Sequence, residues 1–468
     1  MHILFFSRFF FFFVFLTIIL SSKGFASDAR CYKIGVIGTG YVGLVLGTCL
    51  AEIGHTVTCC DLDTRKIDSL NNGLIPIYEH GLEELVIKNL HDNRLFFTTE
   101  VAEAIQSNDI IFITVGTPES LNGEANLDFV FDTARTIGKN LKNPKTIFVK
   151  STVPMGTVQK IKEIITNHNH FNTPFEIGYA PEFLREGSSV NDFMNPDRVV
   201  VGAENPDTAS LFKKIVAPIL KKGAKFLSTS IASAEMIKYA ANSFLSVKIS
   251  FINEIADFCE LVGADVDEVA MGIGLDKRIG AEFLKPGPGF GGSCFPKDTL
   301  AFLKAAEKNG TSLHVIQAAV DVNDFRPSKI VDRLETMLGS FDRKKIALLG
   351  LAFKEETDDV RASPALKLME IMVKKGAFIQ AYDPIAGTQV QNDSPNFEVK
   401  ASLIEALAGV DAVLLATPWK EFLEFDWTKA RLLTKGDLFF DCRNLLDPVT
   451  MNEATFELIQ IGKKIDRF

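Results

Sequence analysis

The sequence predicts an α/β protein with two doubly wound, Rossmann-like domains joined by a long central helix. Three observations support this prediction. A strand, a glycine turn, a helix and a second strand ending in an acid follow one another from Lys33 to Asp61, and a related arrangement runs from Lys345 to Asp383. A long helical pattern lies between them. With 468 residues, of which 47% are hydrophobic, the chain is long enough to bury two or three separate cores.

Residues 1–30 form an apolar N-terminal segment with two alternative origins. An apolar run from Phe9 to Leu20 follows a basic start and precedes small residues, which is the outline of a secretory signal. The run is too short for a comfortable membrane span. Alternatively, the segment is spurious or cleaved, and the protein itself begins near Cys31. We favour this second interpretation because the sequence that follows suits the cytoplasm.

Charge and cysteine content limit the partners and the compartment. The formal net charge of -9 argues against a nucleic-acid partner, which would need a basic face. No membrane partner is expected. The seven cysteines form an odd set without CxxC spacing, so neither a disulfide framework nor a metal site is predicted. We therefore expect a cytoplasmic protein, with export through the N-terminal segment as the alternative.

The first domain, residues 31–227, begins with a dinucleotide-binding pattern. Gly38, Gly40 and Gly43 form GxGxxG between an apolar strand and a helix, and Asp61 ends the second strand. The glycines serve a tight turn, the approach of a pyrophosphate and close packing of the helix on the strand. A lone GxGxxG is also compatible with a turn of no function. Because strand, helix and acid are in register here, we predict a dinucleotide site.

The acid at the end of the second strand favours NAD as the cofactor. The carboxylate of Asp61 would accept hydrogen bonds from the adenosine ribose hydroxyls and would repel the 2′-phosphate of NADP. Arg65 and Lys66 lie close to it in the sequence and leave NADP open.

The central region, residues 228–330, starts with a helical pattern over residues 228–264. Apolar residues recur there at spacings of three and four without proline, and Gly263 marks the stop. A helix of this length would bridge the two domains and could supply a dimer face. Lys238 and Asn242 are four residues apart and project from one face. For either residue alone, ordinary surface polarity is the simpler interpretation.

A glycine-flanked cysteine follows in GFGGSCFPKD, residues 289–298. Pro296 indicates a helix start, so Cys294 would lie at a helix N-terminus, where partial positive charge lowers the pKa of a thiol. The glycines would let a substrate carbon approach, and Asp298 would lie over the same face. The alternative is a small buried filler. The flanking glycines favour a reactive thiolate.

The second α/β domain, residues 331–468, repeats the plan without the glycine fingerprint. KKIALLG again gives a strand ending in glycine, and ALKLMEIMVKKGAFIQAYDP gives a helix and a strand ending at Asp383. Lys354 and Arg361 stand in the intervening insert, where side-chain cations would meet an anionic ligand. A solvated charged loop is the competing interpretation.

A dinucleotide site, a second nucleotide-like domain and a thiolate between them suggest an oxidation in two stages. An alcohol carbon would lose a hydride to give an aldehyde, and the thiolate would add to it. Loss of a second hydride would leave a thioester, which water hydrolyses to an acid. A dehydrogenase with a single two-electron step would need neither the cysteine nor the water.

The chain resembles the UDP-glucose/GDP-mannose dehydrogenase family from about Tyr32 through the second α/β domain. GTGYVG, KSTVPMGT, PEFLREG, DKRIGAEFLKPGPGFGGSCFPKD and GLAFKEETDDVR stand in the order found in that family. The resemblance implies NAD-dependent oxidation of UDP-glucose to UDP-glucuronate by a homodimer or higher homo-oligomer, since the cysteine segment looks like the UDP-glucose branch. The alternatives are GDP-mannose or a UDP-N-acetylhexosamine as substrate, or a non-catalytic NAD-binding regulator.

The resemblance also implies the roles of the reacting residues. Cys294 would be the nucleophile, and Asp298 would be the base for hydrolysis. Lys238 and Asn242 would polarise the sugar C6 oxygen and stabilise the developing oxyanion.

The segment PEFLRE adds two carboxylates to this set. Glu182 and Glu186 would stand four residues apart on a short turn, with Glu182 near the reacting carbon and Thr152 holding a catalytic water. The alternative is a surface pair with Arg185.

Ligand-binding residues are implied in two sets. NAD would be bound by Gly38, Gly40, Tyr41, Val42, Gly43, Asp61, Lys66, Thr117, Thr152, Glu186, Lys297 and Arg361. UDP-glucose would be bound by Glu182, Phe183, Leu184, Glu186, Lys238, Asn242, Arg278, Phe283, Gly287, Gly291, Lys354 and Arg443. Phe283 would stack on uracil, and Arg278 would reach across a dimer interface. Lys354 and Arg443 would meet the diphosphate or the sugar.

Overall fold

The computed structural model describes residues 30–120, 122–390 and 394–464. Of the N-terminal segment 1–30, Arg30 alone falls within these ranges, so the predictions for that segment lie outside the described residues. No helix in the described ranges has the length and hydrophobicity that crossing a membrane requires.

The first sheet contains eight strands, which are β1 (Lys33–Ile37), β2 (Thr56–Cys60), β3 (Leu95–Thr98), β4 (Ile110–Ile113), β5 (Lys145–Val149), β6 (Phe175–Tyr179), β7 (Arg198–Ala203) and β8 (Lys225–Thr229). Their order is β3-β2-β1-β4-β5-β6-β7-β8. Neighbours are parallel except β6 and β7, which are antiparallel. Strands such as β4 are apolar and buried along their whole length, because helices cover both faces of the sheet.

The second sheet contains six strands, which are β9 (Lys345–Leu349), β10 (Phe378–Tyr382), β11 (Phe397–Val399), β12 (Ala412–Leu415), β13 (Leu438–Asp441) and β14 (Glu457–Gln460). Their order is β11-β10-β9-β12-β13-β14, and all neighbours are parallel. Around its first strand, each sheet therefore has the strand order 3-2-1-4-5-6 of a dinucleotide-binding fold. The predicted α/β class with two Rossmann-like domains is confirmed.

The helices before the central one cover the first sheet. They are α1 (Tyr41–Glu52), α2 (Thr64–Asn71), α3 (Leu82–His91), α4 (Val101–Ser107), α5 (Asp128–Asn140), α6 (Thr157–His168), α7 (Ser189–Met194), α8 (Pro206–Ile215) and α9 (Ala217–Leu220).

The later helices connect the domains or cover the second sheet. They are α10 (Ile231–Val262), α11 (Val266–Gly274), α12 (Phe295–Lys308), α13 (His314–Leu338), α14 (Pro364–Lys374), α15 (Leu403–Leu407), α16 (Lys420–Glu424), α17 (Trp427–Ala430) and α18 (Pro448–Glu453), with a 3-10 turn at Ala386–Gln389.

Helix α10 is the predicted central helix. Ser230 caps its N-terminus by accepting a hydrogen bond from the backbone N–H of Ser233, and Gly263 ends it with φ 77°. Its first turns pack into the core of the first sheet through Ala234, whereas Ile252 and Ala256 are buried in the core of the second. The helix therefore links the two cores, which fixes the position of each residue along it relative to both domains.

The division of the chain into units 31–227, 228–330 and 331–468 stays a prediction. The limit at 227/228 falls inside β8, and the limit at 330/331 falls inside α13, which continues unbroken from His314 to Leu338.

Candidate active site

The glycine turn after β1 has the geometry that a pyrophosphate site needs. Gly38 has φ 100°, a conformation that favours glycine, and a Cβ on Gly43 would lie 1.8 Å from the carbonyl oxygen of Gly38. Gly43 is therefore required for α1 to approach the turn. Gly40, the N-cap of α1, has no atom within 4 Å of the position that a Cβ would take. This open space lets an anion reach the helix N-terminus.

Asp61 follows β2 and faces the same turn. Its Oδ2 accepts hydrogen bonds from the backbone N–H of Thr39 at 2.9 Å and from the ammonium group of Lys66 at 3.0 Å. Burial opposes ionisation of Asp61, but the Thr39 amide and the Lys66 ammonium hold the pKa of this carboxyl below its usual value. An ionised carboxylate at this position is suited to the ribose hydroxyls of NAD.

A cavity of about 1170 Å³ opens in front of this turn. It is lined by every residue of the predicted NAD set except Gly43: Gly38, Gly40, Tyr41, Val42, Asp61, Lys66, Thr117, Thr152, Glu186, Lys297 and Arg361. The hydroxyl of Thr117 donates to the carbonyl oxygen of Thr152 at 2.9 Å, which ties two of these walls together. The residues present therefore fit a dinucleotide.

A second cavity of about 730 Å³ lies on the other side of the cysteine. Seven predicted site residues line it: Glu182, Phe183, Leu184, Lys238, Asn242, Phe283 and Cys294. Phe283 stands at its wall with φ 65°, an uncommon conformation for an aromatic residue. Four residues line both cavities, namely Lys150, Glu182, Leu184 and Cys294. The cysteine thus stands where the two cavities meet.

Helix α10 presents Lys238 and Asn242 to two carboxylates beside this cysteine. The ammonium group of Lys238 donates to Glu182 at 2.6 Å, and both side chains are almost fully buried. One turn later, the amide of Asn242 donates to Asp298 at 2.6 Å. Asp298 also accepts from Lys297 at 2.6 Å and is itself inaccessible to solvent. Five residues from three parts of the chain therefore form one polar cluster around Cys294.

The electrostatics of the cluster keep its first pair charged. Burial alone would lower the pKa of Lys238, but the adjacent Glu182 carboxylate raises it overall. Burial likewise opposes ionisation of Glu182, and Lys238 brings the pKa of this carboxyl below its usual value. The pair can thus offer a charged donor next to an ionised carboxylate oxygen in a buried site.

Cys294 is the N-cap of α12, as predicted, but its thiol is not acidic. Burial raises the pKa of Cys294 to about 11, and the nearby Glu182 carboxylate adds to the rise, while Lys238 opposes it. The expectation of a lowered pKa is therefore wrong for this structure. Burial and a neighbouring negative charge outweigh the helix N-terminus.

Glu186 belongs to the same site and not to a surface pair. It accepts a hydrogen bond from the hydroxyl of Ser293 at 3.0 Å and contacts Arg361 at 3.5 Å. Burial, together with the neighbouring Asp359 carboxylate, raises the pKa of Glu186 to about 8. Arg185 instead pairs with Asp192 at 2.7 Å, so the alternative of a surface pair between these glutamates and Arg185 is wrong.

Asp383, the acid at the end of β10 in the second domain, binds groups of its own domain. Asp383 accepts hydrogen bonds from the backbone N–H groups of Leu351 and Ala352 at 2.7 and 3.0 Å, and from the indole of Trp419 at 3.0 Å. A Cβ on Gly350 would lie 2.3 Å from the side chain of Thr417. Protein groups therefore occupy this turn, where Gly350 lies close to Thr417.

The insert after this turn reaches the first domain. Arg361 pairs with Asp359 at 2.8 Å and lies 5.7 Å from the centre of the Tyr41 ring. The hydroxyl of Tyr41 donates to Asp358 at 2.6 Å. Arg361 therefore lines the cofactor cavity, although its side chain is 56% exposed, and the binding of an anion there stays a prediction.

Some predicted substrate residues line neither of these two cavities. They are Arg278, Gly287, Gly291, Lys354 and Arg443. Gly287 and Arg443 are neighbours, since a Cβ on Gly287 would lie 2.7 Å from the guanidinium, and Gly291 packs against the carbonyl oxygen of Ala362. Arg278 is exposed and pairs with Asp276 at 2.6 Å. Burial lowers the pKa of Lys354.

Two buried charged residues were missed by sequence reasoning. Lys150 lines both cavities from the end of β5, and Glu79 accepts hydrogen bonds from the chain that carries Glu182 and Glu186. The one available signal for Lys150 was its place in KSTVPMGT, two residues before Thr152. For Glu79 the contacts are distant in sequence and gave no local signal.

A dinucleotide turn that faces one cavity, and a second cavity that meets it at a cysteine, define a nucleotide-dependent oxidoreductase. Three domains of the UDP-glucose/GDP-mannose dehydrogenase family match the chain: the NAD binding domain at residues 32–220, the central domain at 232–325 and the UDP binding domain at 347–448. The chain belongs to this family.

Individual relatives match over most of the chain. UDP-glucose 6-dehydrogenase TuaD of Bacillus subtilis (strain 168) is 47% identical over 432 residues, which cover 92% of this chain and 93% of the relative. UDP-glucose 6-dehydrogenase of Rickettsia prowazekii (strain Madrid E) is 43% identical over 439 residues, covering 92% of this chain and all of the relative. A solved UDP-glucose dehydrogenase from Pyrobaculum islandicum superimposes with a TM-score of 0.87 at 34% identity, covering 94% of this chain and 100% of its own.

Proposed function

We propose that the protein catalyses the NAD-dependent, four-electron oxidation of UDP-glucose to UDP-glucuronate, with Cys294 as the covalent nucleophile. The observation that carries this proposal is the position of Cys294 in the wall shared by the cofactor cavity and the second cavity. A one-step alcohol dehydrogenase has no use for a thiol there. When bound, NAD accepts the hydride that leaves the sugar C6 carbon in each of the two oxidations.

In the first oxidation, Lys238 and Asn242 hold the C6 oxygen of the sugar. Their ammonium and amide donors line the cavity beside Cys294, where negative charge develops on this oxygen as the hydroxyl proton leaves, before the hydride departs. Glu182, which Lys238 keeps ionised, accepts the hydroxyl proton through a water held by Thr152. The product of this step is an aldehyde next to the Cys294 sulfur.

In the second oxidation, the Cys294 sulfur adds to the aldehyde carbon. Because burial raises the pKa of this thiol to about 11, the thiol proton has to leave as the carbon–sulfur bond forms, and it passes to one of the two carboxylates beside the sulfur, Glu182 or Asp298. Lys238 and Asn242 stabilise the resulting oxyanion, and loss of the second hydride gives a thioester. Asp298, oriented by Asn242 and Lys297, then acts as the base for the water that releases the carboxylate.

The choice of UDP-glucose rests on the relatives and on the cysteine segment. The relatives described above, at 43% and 47% identity, are UDP-glucose 6-dehydrogenases. A solved UDP-D-ManNAc dehydrogenase from Pyrococcus horikoshii, at 26% identity with a TM-score of 0.82, shows that the same architecture also serves an N-acetylated sugar. In this proposal Phe283 stacks on uracil, while Lys354 and Arg443 meet the diphosphate or the sugar.

The active form in this proposal is a homodimer or higher homo-oligomer. Phe244, Phe251 and Phe258 are exposed on α10 at seven-residue spacing, so they lie along one face of the helix, and Leu261 extends this apolar strip. Arg278 is exposed, which suits a residue that reaches a neighbouring subunit. Light scattering would give the oligomeric state directly, and a monomer would contradict this part of the proposal.

We place the protein in the cytoplasm. All seven cysteines lie in the described part of the chain and are free, and the proposed chemistry needs a reduced Cys294 together with a supply of NAD. Export through residues 1–30 is the alternative, and fractionation of cells that express the full chain distinguishes the two.

The substrate is tested by comparing kcat/KM for UDP-glucose, GDP-mannose, UDP-N-acetylglucosamine and UDP-N-acetylmannosamine, with NAD as the oxidant. The proposal predicts the highest value for UDP-glucose. A higher value for another nucleotide sugar would retain the chemistry and change the substrate. Absence of oxidation with every one of them, in a protein that binds NAD, would support a non-catalytic regulator.

A further inference from the structure

The segment of residues 181–189 supplies side chains to both cavities. It joins β6 to α7, and residues 181–188 form neither helix nor strand. Glu182 and Leu184 line both cavities, and Glu186 lines the cofactor cavity. Because a segment without regular structure does not fix its own position, other groups have to hold these side chains in place.

Glu79 holds the C-terminal end of this segment. It lies between α2 and α3, far away in the sequence, and is buried. One of its carboxylate oxygens accepts a hydrogen bond from the backbone N–H of Gly187 at 2.8 Å, and the other accepts from that of Ser189 at 2.8 Å. Both oxygens are thus occupied by the backbone of one segment.

The second domain limits the same end from the opposite side. Gly187 has φ 81°, and a Cβ there would lie 2.0 Å from the carbonyl oxygen of Glu356. The peptide at Gly187 is therefore held between Glu79 of the first domain and the insert of the second. If Glu79 is replaced, this end of the segment keeps only its contact with Glu356.

The other end of the segment is held by a second buried charge. The ammonium group of Lys150 donates to the carbonyl oxygens of Ala180 and Pro181 at 3.4 and 3.3 Å. Between the two ends, Glu182 binds Lys238 and Glu186 binds Ser293. Movement of the end at Gly187 would thus be transmitted to both glutamates.

We propose that Glu79 is a positioning residue for the oxidation, which binds the amides of Gly187 and Ser189 and so keeps Glu182 and Leu184 in place beside Cys294. Glu79 touches neither ligand cavity and acts through the segment. The inference deepens the proposed function and rests on it.

The variant Glu79→Gln tests this role with little change in shape. A glutamine offers one carbonyl oxygen, and its NH2 group would face a backbone N–H, so one of the two hydrogen bonds is lost. Displacement of reacting groups by about 1 Å can cost 100-fold in rate, so we expect kcat/KM for UDP-glucose to fall about 10- to 100-fold. The Kd of NAD should rise by a smaller factor than kcat/KM falls, because Glu186 and Ser189 of this segment line the cofactor cavity while Asp61 and Gly40 lie outside the segment.

Glu52→Gln is the matched control. Glu52 also uses both carboxylate oxygens, accepting from Lys88 at 2.6 Å and from Asn89 at 3.0 Å, but both partners belong to α3. This variant should lose comparable hydrogen bonds and retain kcat/KM. An equal loss in both variants would overturn the proposal, because the effect would then be a general one on the first domain.

Hydrogen exchange supplies a second measurement that does not depend on turnover. In Glu79→Gln, the peptide containing Gly187 and Ser189 should exchange at least about tenfold faster than in the unmodified chain, with no change in Glu52→Gln. Unchanged exchange, or faster exchange with unchanged kcat/KM, would overturn the proposal. If Glu79→Gln does not fold, Glu79→Asp, which is too short to reach both amides, is judged by the same criteria.

Failure of the proposed function would give a different pattern. The unmodified chain would then not oxidise UDP-glucose, whereas the exchange comparison would still report whether Glu79 holds the segment. The kinetic comparison is in that case made with whichever nucleotide sugar the chain does oxidise.

Discussion

Replacing Gly43 by alanine should destabilise the ligand-free protein, although alanine favours helices. The new Cβ would lie 1.8 Å from the carbonyl oxygen of Gly38 and 2.7 Å from the hydroxyl of Thr114. Ordinary contact is about 3.5 Å, so helix and turn must separate by about 1.7 Å. The Gly38 carbonyl belongs to the backbone and cannot rotate away as a side chain would. The clash should therefore lower the free energy of unfolding by about 3 kcal/mol. Better helix propensity offsets about 1 kcal/mol of this cost.

The net loss of about 2 kcal/mol corresponds to a melting temperature about 4–8 °C lower for a domain of this size. Gly40→Ala is the matched control, since its Cβ would enter open space. Its effect on the unliganded protein should be below about 1 kcal/mol, the usual scale for an N-cap change. It should still weaken NAD binding at least about tenfold, because the methyl group occupies the approach of the pyrophosphate.

Differential scanning fluorimetry without ligand, followed by calorimetric titration with NAD, measures both quantities. Equal melting temperatures for Gly43→Ala and the unmodified chain would refute the reasoning from contacts. So would a Gly40→Ala variant that loses as much stability as Gly43→Ala.

Three further predictions concern individual site residues. In Cys294→Ala, formation of UDP-glucuronate, measured by chromatography, should fall by orders of magnitude. Calorimetry should show that UDP-glucose and NAD still bind. Near-normal turnover would contradict the covalent mechanism. Alkylation of Cys294 by iodoacetamide, followed by peptide mass spectrometry, should accelerate about tenfold per pH unit from pH 7 to 9, since only the thiolate reacts and the pKa lies near 11. A plateau below pH 8 would contradict that pKa, and the exposed Cys31 serves as an internal comparison. In Asp61→Ala, the ratio of kcat/KM for NAD to that for NADP should decrease, because the repulsion of the 2′-phosphate is removed; an unchanged ratio would contradict the assignment of Asp61 to the ribose.

Local signals explain what could be predicted from the sequence. The turn at Gly38 and Gly43 and the acid at Asp61 form one continuous supersecondary unit, so their spacing alone indicates the fold and the cofactor. The central helix likewise follows from the spacing of its apolar residues and from its stop at Gly263. Each of these features depends on residues that lie close together in the chain, so the sequence alone reveals it.

The properties of the reacting cluster depend on contacts that the sequence does not show. Cys294 was expected to have an acidic thiol because the sequence reveals a helix start, but not the burial or the proximity of Glu182 that raise its pKa. The sequence allows Arg185 to pair with its neighbours Glu182 and Glu186, whereas in the structure it pairs with Asp192. Glu79 accepts a hydrogen bond from the peptide group of Gly187, which lies 108 residues further along the chain.

The central claim is that one active site carries out both oxidations of the same sugar carbon. The most direct measurement is the amount of NADH formed per UDP-glucuronate released, followed by absorbance and chromatography in a single reaction. Because the step from alcohol to acid removes four electrons, the mechanism predicts about two NADH per UDP-glucuronate. A ratio of one NADH per sugar consumed, with an aldehyde as the product, would contradict it.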